Sequence, residues 1–217
     1  MKIGIVGGTG DIGEGMAMRF ASDFEVIIGS REPDKAVSAS TCCMDILQTR
    51  GVVSCRCSGV PNQEAVDGAD VVILAIPFKH LASTLATLTG FEDKIVVSPV
   101  NPMEKRDFFT FVPPPEGSAA LLVQKMLPKS ARVCSAFNTI AANKWKALDE
   151  ELDYSVPVCG DDAGAKSQVM EIVDKVSKLH AFDAGPLAVS AMVESLTPLL
   201  LNIARYNRMR DVGIQFY

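Results

Sequence analysis

Six residues near the start carry the clearest chemical signal. Gly8-Thr9-Gly10-Asp11-Ile12-Gly13 fits the pattern G-x-G-x-x-G. Alone the pattern is weak. Here it follows the β-branched run Ile3 to Val6 and opens a helical pattern from about Glu14 to Ala21, which is the context that points to dinucleotide binding. The first glycine permits a tight turn, the second lets the backbone approach a pyrophosphate, and the third lets helix and strand pack closely. The helix start then offers free N–H groups and the positive end of its dipole to phosphate.

The end of the second strand chooses the dinucleotide. An NAD site carries Asp or Glu about 20 residues after the glycines, to accept from the ribose 2′-OH. This chain has Gly29-Ser30-Arg31 there, with Lys35 one helical turn further on. That set suits the 2′-phosphate of NADP. Ser30 and Thr9 supply hydroxyl donors, Arg31 a planar charged donor and Lys35 a point charge. Glu32 is the acid at hand, and the cations on either side offset its charge. The bland alternative for Arg31 and Lys35 is a solvated helix start.

The rest of the chain is poor in acid–base chemistry. A hydroxyacid or sugar dehydrogenase needs a general acid/base for the hydroxyl proton. It also needs a substrate domain, and only 32 residues follow Gly185. Lys166 falls on an amphipathic helical pattern and is expected to be solvated. His80, in Ile76-Pro77-Phe78-Lys79-His80, either lines the site or is a polar loop residue. No residue is assigned a catalytic proton. Hydride transfer between two cofactors would need none. It requires two planar rings held face to face in an apolar, water-poor slot. Candidate walls are Pro77-Phe78, Ser98-Pro99-Val100-Asn101-Pro102 and Asn138-Thr139-Ile140-Ala141-Ala142. Two other readings stand beside this one: an NADPH-dependent reductase of a small imine or carbonyl, and a non-catalytic NADP sensor.

The elements that must position these residues alternate in type. Strand patterns cover Ile3 to Val6, Glu25 to Ile28, Val52 to Cys57, Val71 to Ile76, Ile95 to Ser98, Arg132 to Ala136, Val156 to Cys159 and Ala181 to Asp183. Helical patterns run from Pro33 to Thr49, from Pro77 to about Leu88, from Ser118 to Met126, from Ala141 to Ala147 and from Ala163 to Lys178. The helix at Ala163 is capped by Asp161 or Asp162. A last apolar helix spans Ser190 to about Asn207, with a kink expected at Pro198. The stretch holding Phe108, Phe109, Phe111 and Pro113-Pro114-Pro115 reads as an irregular surface loop. The alternation predicts an α/β fold: a doubly wound, mostly parallel Rossmann sheet. The site belongs in the loops after the strand carboxyl ends.

Composition sets the outer bounds. With 217 residues, 48% apolar and 22% charged, the chain can bury a core in one or two domains. A net charge of −5 without a basic block argues against nucleic acid and anionic membranes. No uninterrupted apolar run reaches the ~18–20 residues of a bilayer span, and no basic-then-apolar leader opens the chain, so a cytoplasmic protein is expected. The six cysteines form no C-x-x-C pair and there are two histidines. This argues against a zinc site or a disulfide framework and for buried reduced thiols.

At the level of longer motifs the chain resembles the coenzyme F420-dependent NADP oxidoreductases of archaea. The matching stretches are Gly7-Gly8-Thr9-Gly10, Gly29-Ser30-Arg31, Ile95-Val96-Val97-Ser98-Pro99 and Val156-Pro157-Val158-Cys159-Gly160-Asp161-Asp162. Asp183-Ala184-Gly185-Pro186-Leu187, Val193-Glu194-Ser195-Leu196-Thr197-Pro198-Leu199 and the tail Val212-Gly213-Ile214 complete the set. The resemblance implies reversible hydride transfer between C5 of the deazaflavin F420 and C4 of the nicotinamide of NADP. It implies that Thr9, Gly10, Asp11 and Ile12 meet the pyrophosphate and that Ser30, Arg31 and Lys35 meet the 2′-phosphate. Phe78, Asn101 and Ala142 would lie along the cofactor toward the nicotinamide, with Val212 near the ring. Some members of the family have Trp where this chain has Phe78 and His where it has Asn138. The resemblance also implies a small C-terminal helical lobe, residues 151–217, beside a dinucleotide-binding domain of residues 1–150, and a homodimer through that C-terminal part. The helical spacing of Val193, Leu196, Leu199, Leu200 and Ile203 agrees, the alternative being a helix packed on its own core.

Overall fold

Apolar, β-branched runs form the strands, and glycines set the turns between them. In the computed structural model, which describes residues 1–217, the chain opens with β1 (Lys2–Val6), α1 (Asp11–Phe20), β2 (Glu25–Ser30), α2 (Pro33–Thr49) and β3 (Arg56–Pro61). Then come α3 (Asn62–Asp67), β4 (Val71–Leu74), α4 (Phe78–Leu85) and β5 (Ile95–Ser98). A hairpin of β6 (Met103–Lys105) and β7 (Phe109–Phe111) leads into α5 (Ala119–Met126), β8 (Arg132–Ser135) and α6 (Ala142–Lys146). The chain closes with β9 (Tyr154–Gly160), α7 (Ala163–Lys175), β10 (Leu179–Gly185) and α8 (Ser190–Asn207).

The large sheet has the order β3-β2-β1-β4-β5-β8-β9-β10. Its first six strands are parallel; β9 runs antiparallel to β8, and β10 parallel to β9. This is the doubly wound arrangement, and its strand order reverses between β1 and β4, where such sheets open a ligand crevice. Alternate residues serve opposite faces. Ile3, Ile5, Val71, Ile73, Ile95 and Val97 point into one core with Phe20 and Trp145. Val6, Val72, Leu74 and Val96 point into the other with Leu81 and Val123. Covered on both faces, the central strands are wholly buried, as a parallel sheet demands.

Several elements differ from the sequence expectation. The third strand is Arg56–Pro61, not Val52 to Cys57. Parallel pairing with β2 sets Cys57 opposite Val26 and Gly59 opposite Ile28. Gly59 lies so close to α2 that an added Cβ would sit 2.1 Å from the Ala36 backbone. Val53, expected in that strand, lies outside it and is almost fully exposed. The six-residue α3 was not expected. The Phe-rich loop holds the β6–β7 hairpin, because the Asn202 side chain donates to Phe109 O and accepts from Phe109 N–H, both at 2.8 Å. Asp162 caps α7 by accepting from Ala165 N–H at 2.7 Å. Asp161 instead accepts from Leu187 N–H.

The last helix divides its apolar face. Val193, Pro198 and Leu200 are buried within the chain, whereas Met192, Leu199, Ile203 and Tyr206 are exposed. By length and composition alone, Leu187–Asn207 is apolar enough to cross a bilayer, with a mean hydropathy of 1.6 over its best window. The unbroken-run criterion missed this because Glu194 and Arg205 interrupt the segment. All six cysteines are free, but only Cys43, Cys134 and Cys159 are buried, and Cys42 is exposed. Burial pushes the Cys134 thiol up to about 12 and the Cys159 thiol to about 11.

Candidate functional site

The turn after β1 is built by glycines with separate duties. Gly7 adopts φ +71°, and its N–H donates to Asn62 Oδ1 at 3.1 Å. Gly8 N–H donates to Gly29 O at 2.8 Å, tying the turn to the end of β2. A Cβ on Gly13 would lie 2.5 Å from Gly8 Cα, so this glycine is required for α1 to pack on the turn. A Cβ on Gly10 would meet nothing within 4 Å. Gly10 is the N-cap of α1 and has no side chain to satisfy the helix start. The first N–H groups of α1 therefore face outward beside the exposed Gly10, Asp11 and Ile12.

Beside this turn lies a cleft of about 440 Å³. Thr9, Ser30, Arg31 and Lys35, named from sequence, all line it. Ser30 is buried at the end of β2, and its Oγ accepts from Glu32 N–H at 3.1 Å. Arg31 is exposed at the rim. Lys35 Nζ lies 2.7 Å from Glu32 Oε1. The opposite wall is Pro77, His80 and Thr84, so His80 faces the cleft rather than a plain loop. Asn62 lines it too and was missed. Its signal was positional: an Asn directly after a strand-ending Pro61, inside a helix too short to show periodicity.

Phe78, Asn101, Ala142 and Val212 do not line that cleft. Phe78 opens α4 next to Pro77 and packs half-buried on the core. Asn101 follows β5, and its Nδ2 donates to Asn138 O at 2.9 Å. The Asn101 Oδ1 and Ser98 Oγ atoms are buried without a partner. Asn138 itself joins three elements. Its Oδ1 accepts from Ser135 Oγ at 3.1 Å, its Nδ2 donates to Val100 O at 3.3 Å, and its backbone O accepts from Thr197 Oγ1 at 2.7 Å. Ala142 opens α6. Its neighbour Asn143 donates to Asp211 at 3.5 Å, which brings the tail carrying Val212 beside α6. Tyr154 OH donates to Asp211 O at 3.0 Å, and Gly213 is pressed against the Tyr154 ring.

The buried charged groups lie elsewhere. Lys166 is not solvated: its side chain is 15% exposed and pairs with Asp183 at 2.7 Å. The ammonium holds the Asp183 carboxyl below the usual carboxylate range. Glu194 is wholly buried and accepts from Ala119 N–H at 2.7 Å and Ala120 N–H at 3.0 Å, at the start of α5. Burial pushes its carboxyl up to about 7. Beside it Ser118 and Ser190 share a hydrogen bond of 2.7 Å.

Known proteins share the sequence and the fold. The family described as "NADP oxidoreductase coenzyme F420-dependent" matches residues 2–102. The F420-dependent NADP reductase of Methanocaldococcus jannaschii is 37% identical, over 99% of this chain and 97% of that protein. The F420-dependent NADP reductase of Methanothermobacter thermautotrophicus is 34% identical, over 99% of this chain and 94% of its own. A crystal structure from Arthrobacter sp. FB24, described as a candidate F420-dependent NADP-reductase, has a TM-score of 0.81 at 24% identity. It covers 100% of this chain and 99% of its own, and shows that the fold is shared. The glycine turn and the cleft beside it are thus found in a chain that, end to end, belongs to the family of F420-dependent NADP reductases.

Proposed function

We propose that the protein catalyses reversible hydride transfer between C5 of reduced coenzyme F420 and C4 of the nicotinamide of NADP, with no protein acid or base. The carrying observation is the cleft where Thr9, Ser30, Arg31 and Lys35 converge beside the open start of α1. That donor set fits a dinucleotide with a 2′-phosphate: hydroxyls, a planar guanidinium and an ammonium, the one carboxylate lining the cleft, Glu32, being paired with Lys35.

In this reading residues 1–150 hold NADP. The backbone at Thr9, Gly10, Asp11 and Ile12 takes the pyrophosphate, and the missing Cβ of Gly10 gives it room. Ser30, Arg31 and Lys35 take the 2′-phosphate, Lys35 leaving Glu32 to do so. Phe78, Asn101 and Ala142 lead toward the nicotinamide, with Val212 of the tail near the ring. The orphaned Asn101 Oδ1 is an acceptor suited to a carboxamide N–H. Bound together, the two cofactors supply all the redox chemistry, a two-electron hydride passing from one ring to the other. The chain's own work is to orient them and exclude water. Residues 151–217 form the C-terminal lobe and a homodimer contact through the exposed side of α8. We place the protein in the cytoplasm.

Isotope tracing tests the direct transfer. Reduced F420 carrying deuterium at both C5 positions is mixed with NADP in ordinary water, and the NADPH is analysed by mass spectrometry. One deuterium gained at C4 supports the proposal. NADPH without deuterium means the hydrogen passed through an exchangeable group, and the proposal fails.

A further inference from the structure

Lys146 was absent from the sequence reading, yet it touches the phosphate-binding helix directly. Its Nζ lies 2.8 Å from Asp11 Oδ1 and 2.7 Å from Glu14 Oε2. Both carboxylates stand in the first turn of α1. Acids there favour the helix itself, but they occupy the end that would attract an anion. Without a counter-charge they would face an arriving pyrophosphate with two negative charges of their own.

The fold delivers Lys146 to this position with care. A Cβ on Gly15 would lie 2.4 Å from Trp145 Cβ, so glycine lets α6 settle directly on α1. Trp145 is fully buried beneath the contact. The Arg19 guanidinium then donates to the carbonyls of Trp145, Lys144, Ala147 and Glu150 at 3.0, 2.9, 2.8 and 3.2 Å. These bonds hold the carboxyl end of α6, and Lys146 with it. The Lys146 ammonium draws the Asp11 carboxyl below its ordinary range, and both carboxylates in turn raise Lys146.

We propose that Lys146 is a positioning residue for the dinucleotide: it holds Asp11 and Glu14 aside and cancels the charge that would repel the pyrophosphate. This rests on the assignment of the pyrophosphate to the start of α1. Water screens these pairs, Asp11 being exposed and Lys146 36% exposed. They therefore add little to folding, and a bound anion feels them more than the free protein does. Because the pyrophosphate is common to both dinucleotides, Lys146 affects NADP and NAD alike.

Calorimetric titration of the full-length protein with NADP and with NAD, at low and high salt, tests the proposal. Lys146→Met weakens both ligands by roughly fivefold or more at low salt and less at high salt. Lys146→Arg retains binding. The triple variant Asp11→Asn/Glu14→Gln/Lys146→Met regains it, which a purely structural role for Lys146 would not allow. Unchanged binding in Lys146→Met, or loss that the triple variant fails to rescue, overturns the proposal. Gly10→Val probes the underlying assignment separately. It should fold normally and block both ligands. If Gly10→Val binds them as the wild type does, the pyrophosphate lies elsewhere and the assignment falls, taking the role of Lys146 with it. If Gly10→Val blocks binding while Lys146→Met does not, the assignment stands and only the role of Lys146 is lost.

Discussion

Lys35 and Glu32 face each other across the first turn of α2, Nζ 2.7 Å from Oε1, at the cleft that Ser30 and Arg31 line. In the proposed reading the pair has a consequence for selectivity: the carboxylate occupies the ammonium that would meet the 2′-phosphate. Glu32→Gln should free Lys35 and tighten NADP by about two- to fivefold, the range of an exposed ion pair. NAD, lacking the phosphate, should be unaffected. Equilibrium titration with both dinucleotides checks this.

Arg31 is the exposed guanidinium of the same cleft. Arg31→Asp replaces a phosphate partner with a like charge and should weaken NADP by roughly ten- to a hundredfold, with little change for NAD. Equal NADP affinity in the variant would remove the basis for the 2′-phosphate assignment.

Two glycines of one motif should answer differently to alanine. Gly13→Ala places a Cβ 2.5 Å from Gly8 Cα and should lower stability by about 1–3 kcal/mol. Gly10→Ala meets nothing within 4 Å in the free protein. It should leave the melting temperature unchanged and cost only dinucleotide affinity. Thermal melts with and without NADP distinguish the two.

The buried Glu194 makes stability depend on pH. Its carboxyl rises from an ordinary 4.5 to about 7 through burial, against the opposing hydrogen bonds from Ala120 and Ala119. A raised carboxyl binds its proton more tightly in the folded chain than in the unfolded one. Its contribution is full below pH 4.5 and is lost as pH rises through about 7. The loss is on the order of 1–3 kcal/mol. Glu194→Gln should flatten the stability profile across that window, measured by urea unfolding at several pH values. An unchanged slope would place the titration on another group.

Much of this was legible in the residues because local and global demands coincide there. The apolar runs of β1, β4 and β5 must lie in the middle of a parallel sheet, and Gly7 to Gly10 must make the turn before α1. Elements set by partners rather than by their own pattern were harder to see. The edge strand β3 takes its register from β2 and α2, so the β-branched Val52-Val53 misled. The β6–β7 hairpin depends on Asn202, more than ninety residues away in sequence. Lys166 looked like a surface residue until β10 placed Asp183 beside it. Thr9, Ser30, Arg31 and Lys35 share a cleft because they lie at or just beyond the carboxyl ends of the neighbouring strands β1 and β2. Asn62 and His80 reach the cleft through α3 and α4, and Lys146 reaches the start of α1 through α6, packing that no local motif announces.

The central claim is NADP-selective hydride transfer with F420, and anaerobic turnover tests it most directly. Reduced F420 is mixed with the protein and either NADP or NAD, and the returning absorbance of the oxidised deazaflavin is followed. The account predicts rapid recovery with NADP and little with NAD. Equal rates with both would contradict the phosphate cleft, and no turnover by protein that binds NADPH would contradict the reaction itself.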